Sequence, residues 1–378
     1  MANILPRSVI RTMQGLEPQG GARRRNENPA DGAEKKDNAP SSDSSSQKKK
    51  TDGPSNSAEE RDDGPSDAEG TYKPTPIDVV VVRVMLTRGI KLPPDVVDMV
   101  FDHAEYWPHS SNEIDFMAEH HDRLRVQGTS PNHDKFLLRS YPVGLTGLPD
   151  KKDLAEELAW DTNEAKPQPL GREHDAQFFE KLPNYPTPKL VSPVRKIVFS
   201  IRSADQGWGG ERGNRGTYKG SSTWFEAGLE RFDADQACDS QCTYDVRYQS
   251  PSSKASPLPV CALRPLHPTL EADLEHEGKL KYHHPLTHND NYEIQRNKTA
   301  TRAYQDHVVT WSYSDNIKST SQAAMEIDEE QGRGRGTLDG SFVRDLKLGD
   351  VVTIWAKARY AGWSNNIEKV KVEVYWAV

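Results

Sequence analysis

The chain has 378 residues, 49 Lys and Arg against 57 Asp and Glu, a net charge of −8, and three cysteines. Only 34% of it is apolar, its mean hydropathy is −0.83, and no run of about 18 apolar residues occurs, so no membrane span is expected. The acidic balance offers nucleic acid no general attraction, and Cys238, Cys242 and Cys261 are too few for a disulfide framework, which fits a reducing compartment.

The first residues, MANILPRSVIRTMQGL, lack the apolar core of a secretory signal. Arg7 and Arg11 give them a faint transit-peptide character, against which Pro6 and the short length argue. An intracellular location, cytoplasmic or nuclear, is expected. Residues 1–73 form one expected region: from 17 onward they are Ser, Asp, Glu, Lys, Asn, Gly and Pro with almost no large apolar side chain, and such a stretch cannot bury enough surface to offset its ordering entropy. Disorder is expected there. Arg23-Arg24-Arg25 and Lys48-Lys49-Lys50 read as solvated charge runs, with nuclear import as the alternative.

Order is expected from Thr75. Thr75-Pro76-Ile77-Asp78 carries a cap residue, a proline at the first helical position and an acid three residues on, which marks a helix start, although Val79–Val82 also suit a strand. Leu92-Pro93-Pro94-Asp95 opens a second helix, with Val96, Val100, His103 or Ala104, and Trp107 on its apolar face and Pro108 as its stop. Residues 74–110 are therefore expected as a helical hairpin. The run Leu92 to Phe101 resembles the opening of an F-box. That resemblance implies a protein partner, a ubiquitin-ligase scaffold, bound through Leu92, Pro93, Val96 and Val100. It covers about a third of the motif, and Tyr106-Trp107-Pro108 departs from the rest.

Residues 111–192 read as an irregular connection lying over a sheet, with Phe136–Val143 as a strand and Asp153–Trp160 as a short helix. From 193 to 378 the pattern is that of an antiparallel, jelly-roll-like β-sandwich. Ile197, Phe199 and Ile201 alternate with Lys196, Ser200 and Arg202, and Phe225, Ala227 and Leu229 with Trp224, Glu226 and Glu230. Residues 307–313 and Phe342–Leu346 add two strands. Ile354, Ala356, Ala358 and Tyr360, and Val370, Val372, Val374 and Trp376, define the last two. Long loop insertions are expected at 233–290 and 315–340, the second holding an acidic stretch and the flexible Gly332-Arg333-Gly334-Arg335-Gly336.

Two loops share one composition. Asp205 to Tyr218 combines glycines with Trp208, Arg212, Arg215 and Tyr218; Arg359 to Asn366 combines Gly362 with Arg359, Trp363 and Asn365. Aromatic faces beside planar hydrogen-bonding groups suit a glycan or an acidic ligand, and the same residues also suit a closed sandwich corner. Trp208 and Trp363 are expected at one rim, because each follows a strand of the sandwich. A helical start followed by a sandwich whose final strand succeeds a Gly-Trp loop is similar to the glycoprotein-recognising F-box proteins, with their galactose-binding-like associated domain. The phrases Asp205–Gly210 and Trp355–Trp363 also resemble phrases in proteins of filamentous fungi, which implies a lineage and no activity.

No nucleophile elbow, phosphate loop or dinucleotide fingerprint is present, so a non-enzymatic binding or adaptor protein is expected, with no cofactor; the alternatives are a stand-alone module for a glycan or an acidic ligand and, last, an enzyme built from scattered acids. His283, His284 and His288, with His267 and His276, are the one group of metal-ligand type, but they stand in a polar loop, and Cys238-x3-Cys242 has no matching pair; no metal is expected. Asn297-Lys298-Thr299 is a glycosylation sequon expected to go unused.

Overall fold

A computed structural model describes residues 72–129, 131, 133–145, 164–181, 190–236, 260–287 and 292–378. The expected disorder up to residue 71, the helix expected over 153–160, Cys238, Cys242 and His288 lie outside them. The described chain is mainly β, with antiparallel strand pairing throughout its sheets. None of its helices is long and apolar enough to cross a membrane.

Helix α1 (Pro76–Val84) starts as its sequence dictates: the Thr75 hydroxyl accepts the Asp78 N–H at 3.2 Å, and the Asp78 carboxylate accepts the Thr75 N–H at 2.9 Å. It continues as one π-helical turn, Met85–Gly89, before α2 (Pro94–His103). Val79, Val97 and Phe101 close the hairpin core. The inward face of α2 is therefore not the expected one. Val97 and Phe101 are buried, whereas Val96 and Val100 are exposed. Both stripes have helical spacing, and the aromatic ring of Phe101, held 5.2 Å under the Arg83 guanidinium, decides which turns inward.

Next come β1 (His109–Asp115), the short α3 (Phe116–His120), β2 (Leu124–Gln127), β3 (Asp134–Arg139) and α4 (Ala176–Glu180). The region expected as a connection thus supplies three sandwich strands. After it follow β4 (Val194–Ala204), β5 (Thr223–Phe232), β6 (Leu263–His267), β7 (Leu270–Ala272), β8 (Leu280–Tyr282), β9 (Glu293–Arg296) and β10 (Gln305–Ser312). Helices α5 (Gln322–Gln331) and α6 (Ser341–Asp345) precede β11 (Val351–Ala358) and β12 (Ser364–Trp376).

The first sheet has the order β1-β12-β4-β10, with β2 also on β12; the second has the order β3-β11-β5-β6, with β9 also on β5. Strand β12 is 13 residues long, so along one edge it pairs first with β2 through Ser364–Ile367 and then with β1 through Lys369–Tyr375. Its other edge pairs with β4. Period-two alternation sends Ile197, Phe199, Ile201, Val370, Val372 and Val374 from the first sheet into one core with Phe225, Ala227, Val352, Ile354 and Ala356 from the second.

Three loop and strand expectations change. Phe342–Leu346 reads as a strand, but its first four residues lie in α6, whose Val343 reaches the core from a helical turn. The 233–290 insertion holds β6, β7 and β8. The Gly-Arg run is ordered. Gly332 ends α5 with φ of 70°, and the Arg333 guanidinium reaches Asp315 at 3.3 Å.

Candidate ligand-binding rim

Antiparallel pairing sets Asn366 of β12 opposite Ala204 of β4, so the loop that leaves β4 and the loop that enters β12 meet at one end of the first sheet. Asp205 is buried there and accepts the N–H groups of Gln206 and Ala300 at 2.8 and 2.6 Å, which ties the β4 loop to the turn after β9. Gln206 spans the two tryptophan loops: its side-chain amide donates to the Trp208 carbonyl at 2.6 Å, and its side-chain oxygen accepts the Ser364 N–H at 3.1 Å.

The loops interlock. The Trp208 ring lies over Gly362, where a Cβ would stand 2.8 Å from the ring; Gly362 also has φ of 87°, so a side chain is refused twice. Trp363 in turn packs against Gly209 and Gly210. The expected meeting of Trp208 and Trp363 at one rim is what the fold contains. Trp208 keeps 55% of its surface exposed and Tyr360 keeps 50%, and the Arg359 guanidinium sits 4.8 Å from the Tyr360 ring centre. Arg302 donates to the Gln206 carbonyl at 3.2 Å, and its side chain covers Gly207. Arg212 and Arg215 are exposed on and beside the 3-10 turn Arg212–Asn214.

Two expected members stand elsewhere. Asn365 has 0% exposure: its oxygen accepts from Asn297 at 2.9 Å and its amide donates to the Trp224 carbonyl at 3.1 Å, so it holds the two sheets together and faces no ligand. Tyr218 is half-buried, packed on Gly332 at the end of α5, edge-on to His307 and under the Lys298 ammonium. Burial raises its hydroxyl above the usual tyrosine range. Asn297, the sequon asparagine, is also buried, bonded to Ser203, Thr223 and Asn365, which leaves no room for a glycan. Of the expected partner residues, Leu92 packs into the hairpin, while Pro93, Val96 and Val100 face outward.

Sequence reasoning missed a buried polar layer on the outer face of the second sheet. Lys357 and Glu226 form an ion pair at 2.6 Å with both side chains buried, and the Trp224 indole donates to the same carboxylate at 2.6 Å. Arg139 holds Glu230 with two bonds of 2.9 and 3.2 Å. His267 and His284 lie in this layer. Neither ring nitrogen of His284 has a hydrogen-bond partner, and the ring stands against Trp355 and 3.9 Å from Asp134. Among the described residues no group of three His, Cys, Asp or Glu is arranged to hold a metal ion. The alternation of Glu226, Glu230 and Lys357 with apolar neighbours was visible in the sequence. That their face is covered was not, because the covering strands β7 and β8 are only three residues long.

Burial pushes the imidazoles of His267 and His284 down to about 3 and that of His307 to about 4, with Lys357 near the first two and Lys298 near the third adding to the effect. Unfolded histidine takes its proton near pH 6.5, so below that pH the unfolded chain binds protons the folded chain refuses, and stability falls as pH falls. Asp205, raised to about 6 by burial, works in the opposite direction between 6 and its ordinary value, as do the raised carboxyls of Glu226, Asp134 and Glu164. The three imidazoles outweigh the carboxyls in this range, so the protein should be less stable at pH 5 than at pH 7. Thermal melts at the two pH values measure it, and His284→Leu should make the drop visibly smaller; an unchanged drop would remove His284 from the account.

Comparison with protein families, curated proteins and solved structures finds no match to this chain.

Proposed function

We propose that the chain is a non-enzymatic binding protein whose sandwich rim takes a carboxylate-rich ligand, such as an acidic segment of a partner protein. The observation that carries this reading is the pair of exposed rings, Trp208 and Tyr360, fixed beside the guanidinium groups of Arg359 and Arg302, with Arg212 and Arg215 exposed on the turn that continues the Trp208 loop. A chain of net charge −8 gathers cationic forks and flat faces here, the composition of binding hot spots. The rim needs no ligand to hold its shape, since Gln206 and the interlocked glycines fix it, so little ordering cost opposes binding.

The adaptor form of this reading would add a scaffold bound through the hairpin. Helix α2 is followed directly by strand β1, so the F-box likeness does not extend to a third helix there, and the rim is the stronger support.

Tryptophan fluorescence titrated with an oligoglutamate peptide, and with a neutral oligosaccharide as control, tests the proposal. The peptide should bind, weaken with salt, and be lost in Trp208→Ala and in Arg359→Ala. Because Trp208 is more than half exposed, Trp208→Ala should lower stability by only about 1 kcal/mol, against about 3–5 kcal/mol for a core tryptophan. Binding of the neutral sugar alone would turn the site into a glycan site. A large fall in Tm for Trp208→Ala would make the rim a structural corner.

A further inference from the structure

Strand β10 is an edge of the first sheet: it pairs with β4 and with no other described strand. The ladder runs through eight consecutive pairs, from Gln305 opposite Ser203 to Ser312 opposite Lys196, without a bulge. One residue beyond it, the Tyr313 N–H donates to the Arg195 carbonyl at 2.9 Å, which fixes the phase of the ladder. Odd-numbered residues of β10 turn their N–H and C=O groups toward β4, and even-numbered residues turn theirs to the open side. Asp306, Val308 and Thr310 therefore point six backbone groups away from the sheet, and among the described residues none of the six has a hydrogen-bond partner. The same three residues are exposed, Val308 with 70% of its area in solvent.

The chain closes both ends of this window itself. The Gln305 side chain donates to the Tyr304 carbonyl at 3.3 Å. At the other end the Asp315 carboxylate accepts the Ser312 N–H at 3.0 Å, while the Asp315 N–H donates to the Ser312 carbonyl at 3.1 Å. Between these caps the open ladder is symmetric about Val308. It also lacks the guards that keep sheet edges single: no proline, no lysine and no bulge interrupts it. Its one carboxylate, Asp306, is held by Arg202 at 2.7 Å on the same chain.

We propose that β10 pairs with β10 of a second copy, antiparallel and with Val308 on the two-fold axis. An antiparallel edge complements itself, as a two-fold interface must. In this register Val308 meets the partner's Val308, Asp306 meets the partner's Thr310, and Thr310 meets the partner's Asp306. Each pair exchanges two hydrogen bonds, so every open group on both edges is satisfied. Moving the register by two residues either way sets Asp306 or Thr310 against a group that Asp315 or Gln305 already occupies. The centred register also keeps the two Asp306 carboxylates apart, sets a hydroxyl beside each, and packs the exposed valine on its equal.

Sedimentation of the full chain over a concentration series reaching about 200 µM, within the range where a modest interface associates, decides the matter. The expected mass at the upper end is twice the 42.4 kDa of one chain. Val308→Lys should weaken association at least about 10-fold, since it sets two ammonium groups face to face on the axis. Its Tm should stay close to the parent, because Val308 faces solvent in one chain. Two variants of Thr310 test the register. Thr310→Asp brings two carboxylates together in each outer pair and should weaken association several-fold, whereas Thr310→Lys sets an ammonium opposite each Asp306 and should leave it as tight or tighter. A parent chain that stays monomeric at the highest concentration overturns the proposal, whether the edge then stays in water or takes a foreign strand. A dimer that Val308→Lys leaves unchanged overturns it too, as do Thr310→Asp and Thr310→Lys weakening association alike.

Discussion

Removing residues 369–378 should leave a chain that does not unfold cooperatively at any temperature. The segment is the middle of the first sheet: Lys369 to Tyr375 pair with β1 on one side, and the same residues with Trp376 pair with β4 on the other. Its loss strips ladder partners from two strands at once and takes Val370, Val372, Val374 and Trp376, all buried, out of the interior. Each large core truncation costs about 2–5 kcal/mol, so the combined loss exceeds the 5–15 kcal/mol by which a domain of ordinary stability is held folded. Calorimetry of the shortened chain measures it. A sharp endotherm near the parent Tm would mean that β12 is dispensable and that the first sheet is wrongly assigned.

The second large effect belongs to Lys357. Lys357→Met leaves the Glu226 carboxylate buried, with the Trp224 indole as its main remaining donor, and breaking a buried pair in this way costs about 3–5 kcal/mol. Burial already raises the Glu226 carboxyl above its usual range with Lys357 beside it. Without the lysine it will take up a proton more readily, so the cost should be larger at pH 8 than at pH 6. Adding Glu226→Leu to Lys357→Met should restore most of the loss, because two apolar side chains of similar volume leave no uncompensated charge. Urea denaturation of the two single variants and the double variant closes the cycle. A single variant within about 1 kcal/mol of the parent would show that solvent reaches the carboxylate.

What could be read from the sequence, and what could not, divides along one physical line. Strands β4, β5, β10, β11 and β12 were legible because each lines the core with every second side chain, and only the sheet geometry produces that period. The cap at Thr75 was legible because its chemistry is local. Strand β1 was not: His-Ser-Ser-Asn-Glu-Ile-Asp has almost no apolar alternation, and its conformation is set by β12, far away in the chain. Strands β7 and β8 are too short to show a period. At the site, composition pointed to the Trp208 and Trp363 loops, and pairing of β4 with β12 brings them together. Asn365 was misread because an asparagine that bonds two sheets and one that greets a ligand look alike until burial is known. The imidazoles of His267, His284 and His307 gave no sign of their burial for the same reason.

Strand β12 also fixes when this protein can finish folding. His109 of β1 waits for Tyr375, and Val126 of β2 waits for Asn365, so the nascent chain carries two orphan strands through the synthesis of roughly 240–270 residues. At about 5–20 residues per second that is on the order of 10–50 s with unpaired strand edges in solution. Strand β4, which lies between β12 and β10, waits too and can pair only with β10 in the interval. Contacts of such sequence separation also slow the closing step itself. Assembly of the first sheet is thus deferred until β12 has been synthesised, and during that time the burden of preventing edge-to-edge association falls on chaperones and on the polar character of β1.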